Sequence, residues 1–75
     1  MDLVQQNSVK LNTEGLLINL PDVYERVIVT RGDSTWIDSL EVYDCDEEGN
    51  NLYYWDCTGD IAPGDAWMPI PKFTN

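Results

Sequence analysis

The stretch LEVYDCDEEGNNLYYWDCT, residues 40–58, carries the strongest signal for the fold. Its second half, NLYYWDCT (51–58), is rich in aromatic residues and lies between the turn signals Gly-Asn-Asn and Gly-Asp. Aromatic segments bounded in this way favour strands. We therefore expect LEVYDC (40–45) and NLYYWDCT to pair as a hairpin whose loop lies around 47–51.

Shorter strand patterns lie on both sides of this hairpin. SVKLNT (8–13) alternates apolar and polar residues, and GLLINLP (15–21) runs from a glycine to a proline, so the two predict a hairpin that turns at 13–15. RVIVTRGD (26–33) is β-branched and predicts a third strand. AWMPIP (66–71) predicts a last strand, confined to a sheet edge by its two prolines.

Two segments leave a helical turn open. Asp22 followed by Glu25 three residues later matches a capping box, although the β-branched run after it opposes a long helix. A helical turn over 34–39 would place Trp36 and Leu40 on one face, whereas a strand would alternate from about Leu40. We expect the strand to begin at Leu40, after a loop or one helical turn.

These segments together predict the fold class. We predict an all-β protein. The alternative is an α+β protein with one short helical turn. We expect five to six short strands in a small antiparallel meander or a barrel of SH3 or OB size. The chain of 75 residues is expected to form one acidic β-rich domain, 1–75, with a single small core.

Charge is the most unusual feature of the composition. The chain has 14 acidic residues, 4 basic residues and no histidine, for a formal net charge of −10. Every charged residue between Asp33 and Pro71 is acidic. Such a chain will not bind nucleic acid directly or an anionic membrane, but it attracts basic proteins.

The sequence shows neither a secretory signal nor a membrane span. No apolar core of a secretory signal is visible near the start, and the longest apolar run, LLINL, is far shorter than the roughly 20 residues of a membrane span. We expect a cytoplasmic protein, in the host cytoplasm if it is viral.

Two cysteines in such a compartment favour free thiols. A Cys45–Cys57 disulfide stays open as an alternative, if the hairpin loop is centred on Asn51.

The acidic loop resembles part of a calcium site. Asp44, Asp46, Glu48 and Gly49 match the first positions of the calcium loop of EF-hand proteins, but Trp55 stands where the final bidentate Glu is needed. Two cysteines without histidine also fall short of a zinc site. We expect no metal and no cofactor, with a weak calcium-binding hairpin at Asp44, Asp46 and Glu48 as an alternative.

Catalysis and cell adhesion find little support. There is no histidine, no Gly-rich phosphate loop and no serine or cysteine nucleophile beside an evident base, so we expect no enzyme. Arg31-Gly32-Asp33 spells a cell-adhesion tripeptide. Its position at the end of a predicted strand indicates an ordinary turn.

The acidic residues suggest mimicry of nucleic acid. Residues i and i+2 of a strand point the same way about 6.6 Å apart. This is close to the roughly 7 Å that we estimate between successive phosphates. Asp44 and Asp46 would share one face, joined by Glu48 if the strand continues. The predicted partner-binding residues, acids with aromatic anchors, are Asp38, Glu41, Asp44, Asp46, Glu47, Glu48, Tyr53, Trp55, Asp56 and Asp60.

The resulting hypothesis is a small acidic inhibitor that mimics nucleic acid and blocks a basic DNA- or RNA-binding protein or complex. Small phage proteins that block CRISPR or restriction complexes are similar in length and charge, although no shared motif links them to this chain. The alternative is a phage-like structural or accessory interaction module whose acids are merely solvated. Adaptation to high salt and a homodimer also stay open.

Overall fold

The structure, a computed structural model, describes residues 6–71. These residues form strands and turns without a helix, so the predicted all-β class is confirmed. Neither suggested helical turn forms, because residues 22–25 make only a tight turn and β5 already begins at Ser34 instead of Leu40. The strands are β1 (Asn7–Ser8), β2 (Lys10–Leu11), β3 (Leu17–Ile18), β4 (Arg26–Arg31), β5 (Ser34–Cys45), β6 (Asn51–Trp55) and β7 (Ala66–Pro69).

Five strands form one antiparallel sheet in the order β1-β7-β4-β5-β6, curled into a half-barrel. β2 and β3 form a separate hairpin, as predicted, with Lys10 opposite Ile18 and Leu11 opposite Leu17. The predicted edge position of AWMPIP is wrong, because β7 lies between β1 and β4. A proline is tolerated there because the pairs with β1 involve Ala66 and Trp67 but not Pro69.

β4 and β5 are joined by the two-residue turn Gly32-Asp33, which pairs Arg31 with Ser34. Gly32 has a φ of 59° at the first central position, as a type II′ hairpin turn requires. The tight turn explains why β5 starts six residues before the predicted strand. Every second side chain of β5 from Trp36 onward, at Trp36, Asp38 and Leu40, then points to the interior. The sequence does not show this alternation of apolar and polar residues because one of the inward positions is an aspartate.

The hairpin of β5 and β6 is confirmed, and it contains a bulge. Val42 pairs with Tyr53 while Asp44 pairs with Leu52, so Tyr43 is one extra residue in β5. Without the bulge, strict alternation from Leu40 would point Asp44 toward the core. With the bulge, Asp44 shares the face of Leu52, opposite to the face of Tyr53, and stays exposed.

The core is small and lies on the concave side of the half-barrel. It contains the buried residues Val9, Val27, Val29, Leu40 and Trp55. Partly buried side chains from β3, from the strands β5, β6 and β7 and from the loops pack around it. Residues 6–71 contain no helix of the length and apolar character needed to cross a bilayer.

Candidate functional site

Two loops bring four carboxylates together around one groove. Glu14 comes from the loop between β2 and β3, and Asp46, Glu47 and Glu48 come from the loop between β5 and β6. With Leu16 they line an open groove of about 350 Å³. We call these four acids the acidic tip. The sequence predicted the three from the second loop and missed Glu14, which no local pattern connects to them.

Asp46 shapes the second loop. Its Oδ1 accepts hydrogen bonds from the backbone N–H groups of Glu48 and Asn50, each 2.9 Å long, and its Oδ2 accepts one of 3.3 Å from the Asn50 amide. The N–H of Asn50 is the main cause that holds the pKa of Asp46 below its ordinary value. The carboxylates of Glu47 and Glu48 have no hydrogen-bond partner in residues 6–71, and Glu47 and Glu48 are exposed.

Asn12 shapes the first loop in the same manner. Its side-chain oxygen accepts the N–H of Glu14 at 2.9 Å and that of Leu16 at 3.0 Å. Gly15, with a φ of 79°, donates its N–H to the Asn12 carbonyl at 3.0 Å. Each loop is therefore closed by one short polar side chain, which leaves the glutamates directed to solvent.

The predicted row of acids along a strand does not form. β5 ends at Cys45, so Asp46 and Glu48 lie in the turn instead of continuing the strand. Asp44 is exposed but accepts the N–H of Cys45 at 2.8 Å. The acids converge because two loops meet, and not because they alternate along one strand.

Two of the predicted partner-binding residues lie inside the protein. Asp38 is 3% exposed and accepts hydrogen bonds from Trp36 Nε1 at 2.7 Å and from the N–H groups of Ser39 and Cys57 at 2.8 Å. Trp55 is 0% exposed and belongs to the core. Both residues act in folding, and neither has a surface to offer a partner.

The other predicted residues are spread over the surface. Glu41 is half-buried and accepts a hydrogen bond from Ser39 Oγ at 3.1 Å. Asp56 is exposed at the end of β6, and Asp60 pairs with Arg31 at 3.2 Å. These acids do not line the groove at the acidic tip.

Arg31 and Asp65 form a buried network that the sequence did not reveal. Asp65 is 2% exposed and accepts two hydrogen bonds from Arg31, one from Trp55 Nε1 at 2.9 Å and one from the Ala62 N–H at 2.9 Å. Burial alone would raise the pKa of Asp65, but these donors outweigh it and the pKa lies below its ordinary value. Because Arg31 is engaged here, the Arg-Gly-Asp tripeptide does not present a free guanidinium.

A second cluster contains Asp38, Asp56 and Cys57, whose potential ligand atoms lie within 4.8 Å of one another. Both oxygens of Asp38 already accept N–H groups, and Arg26 lines the same small cleft. Partial desolvation of the Cys57 thiol, with the charges of Asp38 and Asp56, raises its pKa and disfavours the thiolate that binds metals. The cluster does not fit a cation.

The calcium loop and the disulfide also fail on geometry. Asp46 directs its oxygens to N–H groups of its own turn, the opposite of the environment of a cation. Cys45 pairs with Asn51, whereas Cys57 lies near the carbonyl of Ile37, eight positions before Cys45 along β5, so the two cysteines are too far apart to bridge. Both cysteines are free and exposed.

An apolar groove lies beside the acidic tip. It has a volume of about 280 Å³ and runs between the β2–β3 hairpin and β6. Leu16, Leu17, Tyr43, Tyr53 and Ile61 line it, and Leu16 lines the acidic groove as well. We call it the edge groove. It joins an apolar surface to the acidic one.

The chain was also compared with known proteins. No protein-family model, curated protein or solved structure matches it. Its function is therefore inferred from the geometry and the charge of the described residues.

Proposed function

We propose that this protein binds a basic nucleic-acid-binding protein through the acidic tip and competes there with DNA or RNA. The convergence of Glu14 with Glu47 and Glu48 from a separate loop carries the proposal. Two loops, each closed by its own side-chain hydrogen bonds, fix the backbone positions from which these negative side chains extend. A preformed anionic surface of this kind resembles a short piece of phosphate backbone in charge.

The charge balance around the tip supports the same proposal. Both ion pairs in residues 6–71 are made by Arg31, whose partners are Asp60 and Asp65. The glutamates of the tip have no such partner in this part of the chain, so their mutual repulsion is relieved only by solvent, salt or a cationic partner. Attraction to a basic surface would make association fast and sensitive to salt.

The test is affinity capture from a lysate of the cells in which the protein acts. We expect the immobilised protein to retain a nucleic-acid-binding protein that elutes in a salt step and is displaced by added DNA or RNA. Capture of partners that are indifferent to both salt and nucleic acid would refute mimicry. Solvated surface acids would then be the better description.

Matched variants locate the binding surface. Glu14→Gln, Glu47→Gln and Glu48→Gln together remove three charges from the tip, while Asp46 is kept because it holds the turn. The control variant removes three exposed acids that do not line the tip groove, by Asp22→Asn, Glu25→Gln and Asp33→Asn. We expect the tip variant to lose the partner and the control to keep most of its affinity. Equal losses in both would show that only net charge matters.

A further inference from the structure

We infer that the edge groove receives an extended segment of the partner, which adds to β6 as a further strand and combines apolar side chains with Lys or Arg. This inference rests on the proposed function and names the chemistry of the partner that the site takes. Three features of the molecule carry it: the edge of β6 at Tyr53, the apolar side chains opposite that edge, and the acidic tip at the end of the groove.

The first feature is the outer edge of β6, which is the last strand in the sheet order. The loop after β6 occupies this edge at Trp55, whose N–H bonds to the Asp60 carbonyl at 2.8 Å and whose carbonyl accepts the Gly59 N–H at 2.7 Å, both away from β5. Backbone groups alternate in direction along an antiparallel strand, so the N–H and C=O of Tyr53 also point away from β5. Tyr53 lines the edge groove, so these two groups are available to hydrogen-bond an added strand.

The second feature is the opposite wall. Leu16 and Leu17 of the β2–β3 hairpin line the groove across from Tyr53, yet β3 pairs only with β2 among the described strands. The hairpin therefore stands beside β6 without closing the sheet. The space between them has apolar walls on one side and a hydrogen-bonding edge on the other, as an extended peptide requires.

The third feature is charge complementarity. Leu16 lines both grooves, so the apolar space continues directly into the acidic tip with Glu14 and Glu48. A segment bound along β6 would place alternate side chains in the apolar space and extend toward these carboxylates. Lys or Arg next to an apolar residue fits both surfaces, whereas an acidic segment is repelled.

The test uses a capped peptide of about ten residues with alternating Val and Lys, labelled for fluorescence anisotropy. We expect saturable binding to the wild-type chain, and no binding of the same peptide with Glu in place of Lys. Leu16→Ser is expected to weaken binding at least about tenfold, because it removes apolar area shared by both grooves. Ile18→Ser, at an exposed residue of the same hairpin that does not line the edge groove, is the matched control and should change binding little.

N-methylation of the peptide separates strand addition from simple charge attraction. Methyl groups on alternate backbone nitrogens should abolish binding in one register and leave it in the other, since only one set of N–H groups faces β6. The inference would be overturned if the two methylated peptides bound with equal affinity. It would also be overturned if the Leu16→Ser variant bound the unmethylated peptide as tightly as the wild-type chain does. Peptide-independent dimerisation that is lost in Leu16→Ser would also overturn it, because a second copy would then occupy the groove.

The two proposals fail in different ways. If the captured partner is lost from the variant with three neutral residues at the tip but retained by Leu16→Ser, the proposed function stands and the edge groove is not the docking site. If the peptide binds as described but no nucleic-acid-binding protein is captured, the groove is a docking site and the competition with nucleic acid is refuted.

Discussion

Arg31 donates two hydrogen bonds to Asp65, from Nε to Oδ1 and from an Nη atom to Oδ2, each 2.8 Å long. The two residues are 34 positions apart and connect the end of β4 to the loop before β7. Because Asp65 also accepts the indole N–H of Trp55, this one carboxylate joins three separate parts of the fold. Paired donors from an arginine fix geometry as well as charge.

Removing this carboxylate should destabilise the protein. We expect Asp65→Asn to lower the free energy of unfolding by about 2 kcal/mol, which is less than for a fully buried pair because Arg31 is partly exposed. Asp60→Asn, at the exposed partner of the same arginine, should change it by less than about 1 kcal/mol. Urea denaturation of both variants measures the difference. Equal midpoints would contradict a special role for Asp65.

The same pair predicts a dependence of stability on pH. The pKa of Asp65 is lowered in the folded state, so its contribution is complete above the unfolded value of about 3.9 and is lost as the pH falls through the folded pKa. We expect the difference in unfolding free energy between wild type and Asp65→Asn to be constant near neutral pH and to shrink below about pH 4. A difference that widens in acid would contradict this assignment.

Asp46 is expected to stabilise the fold through its hydrogen bonds, in addition to contributing a negative charge. Asp46→Ala removes the acceptor for two backbone N–H groups of its loop, so we expect a lower melting temperature. Asp46→Asn keeps an oxygen acceptor and should recover most of the loss, which a charge effect would not allow. Glu47→Ala is the control, and its melting temperature should be unchanged or slightly raised. Thermal unfolding followed by circular dichroism compares the three.

The two thiols should react at different rates. The pKa of Cys57 is raised by partial desolvation and by the neighbouring charges of Asp38 and Asp56, so less thiolate is present near neutral pH. We expect Cys57 to be alkylated more slowly than Cys45 when each is measured in the variant lacking the other. Asp56→Asn should speed the reaction of Cys57. A melting temperature that falls on adding reductant would contradict two free thiols.

Tyr24 carries local strain. It has a φ of 70° and is 68% exposed, and its N–H bonds to the Leu40 carbonyl at 2.8 Å, which holds the backbone in this conformation. Asn tolerates the left-handed region better than Tyr, so Tyr24→Asn should stabilise the protein by about 0.5–1 kcal/mol. Tyr43→Asn replaces a similarly exposed tyrosine of β5 that has no positive φ, and it should bring no such gain. The comparison is made by denaturant unfolding.

Local patterns in the sequence predicted the local parts of the fold. The β5–β6 hairpin, the β2–β3 hairpin and β4 follow from alternation and glycine turns within a few residues. The place of β7 in the sheet does not, because the two prolines of AWMPIP indicate an edge and only pairing with distant β1 and β4 makes the strand internal.

The candidate site residues were also predicted only in part, for the same reason. Glu47 and Glu48 were predicted at the loop where they lie, but Glu14 reaches the tip only through the packing of another hairpin. Asp38 and Trp55 were predicted at the surface because acids and aromatics resemble binding residues. Their burial depends on partners distant in the sequence, the Cys57 N–H for Asp38 and Asp65 for the indole of Trp55, that no local pattern reveals.

The position of β7 between β1 and β4 has a consequence for synthesis of the chain on the ribosome. Until Ala66–Pro69 has emerged, β1 has no neighbour in the large sheet, and the indole of Trp55 lacks its acceptor on Asp65. A nascent chain can therefore form its hairpins early but cannot complete its core. Native folding has to wait for the last strand, which enters between two strands made before it.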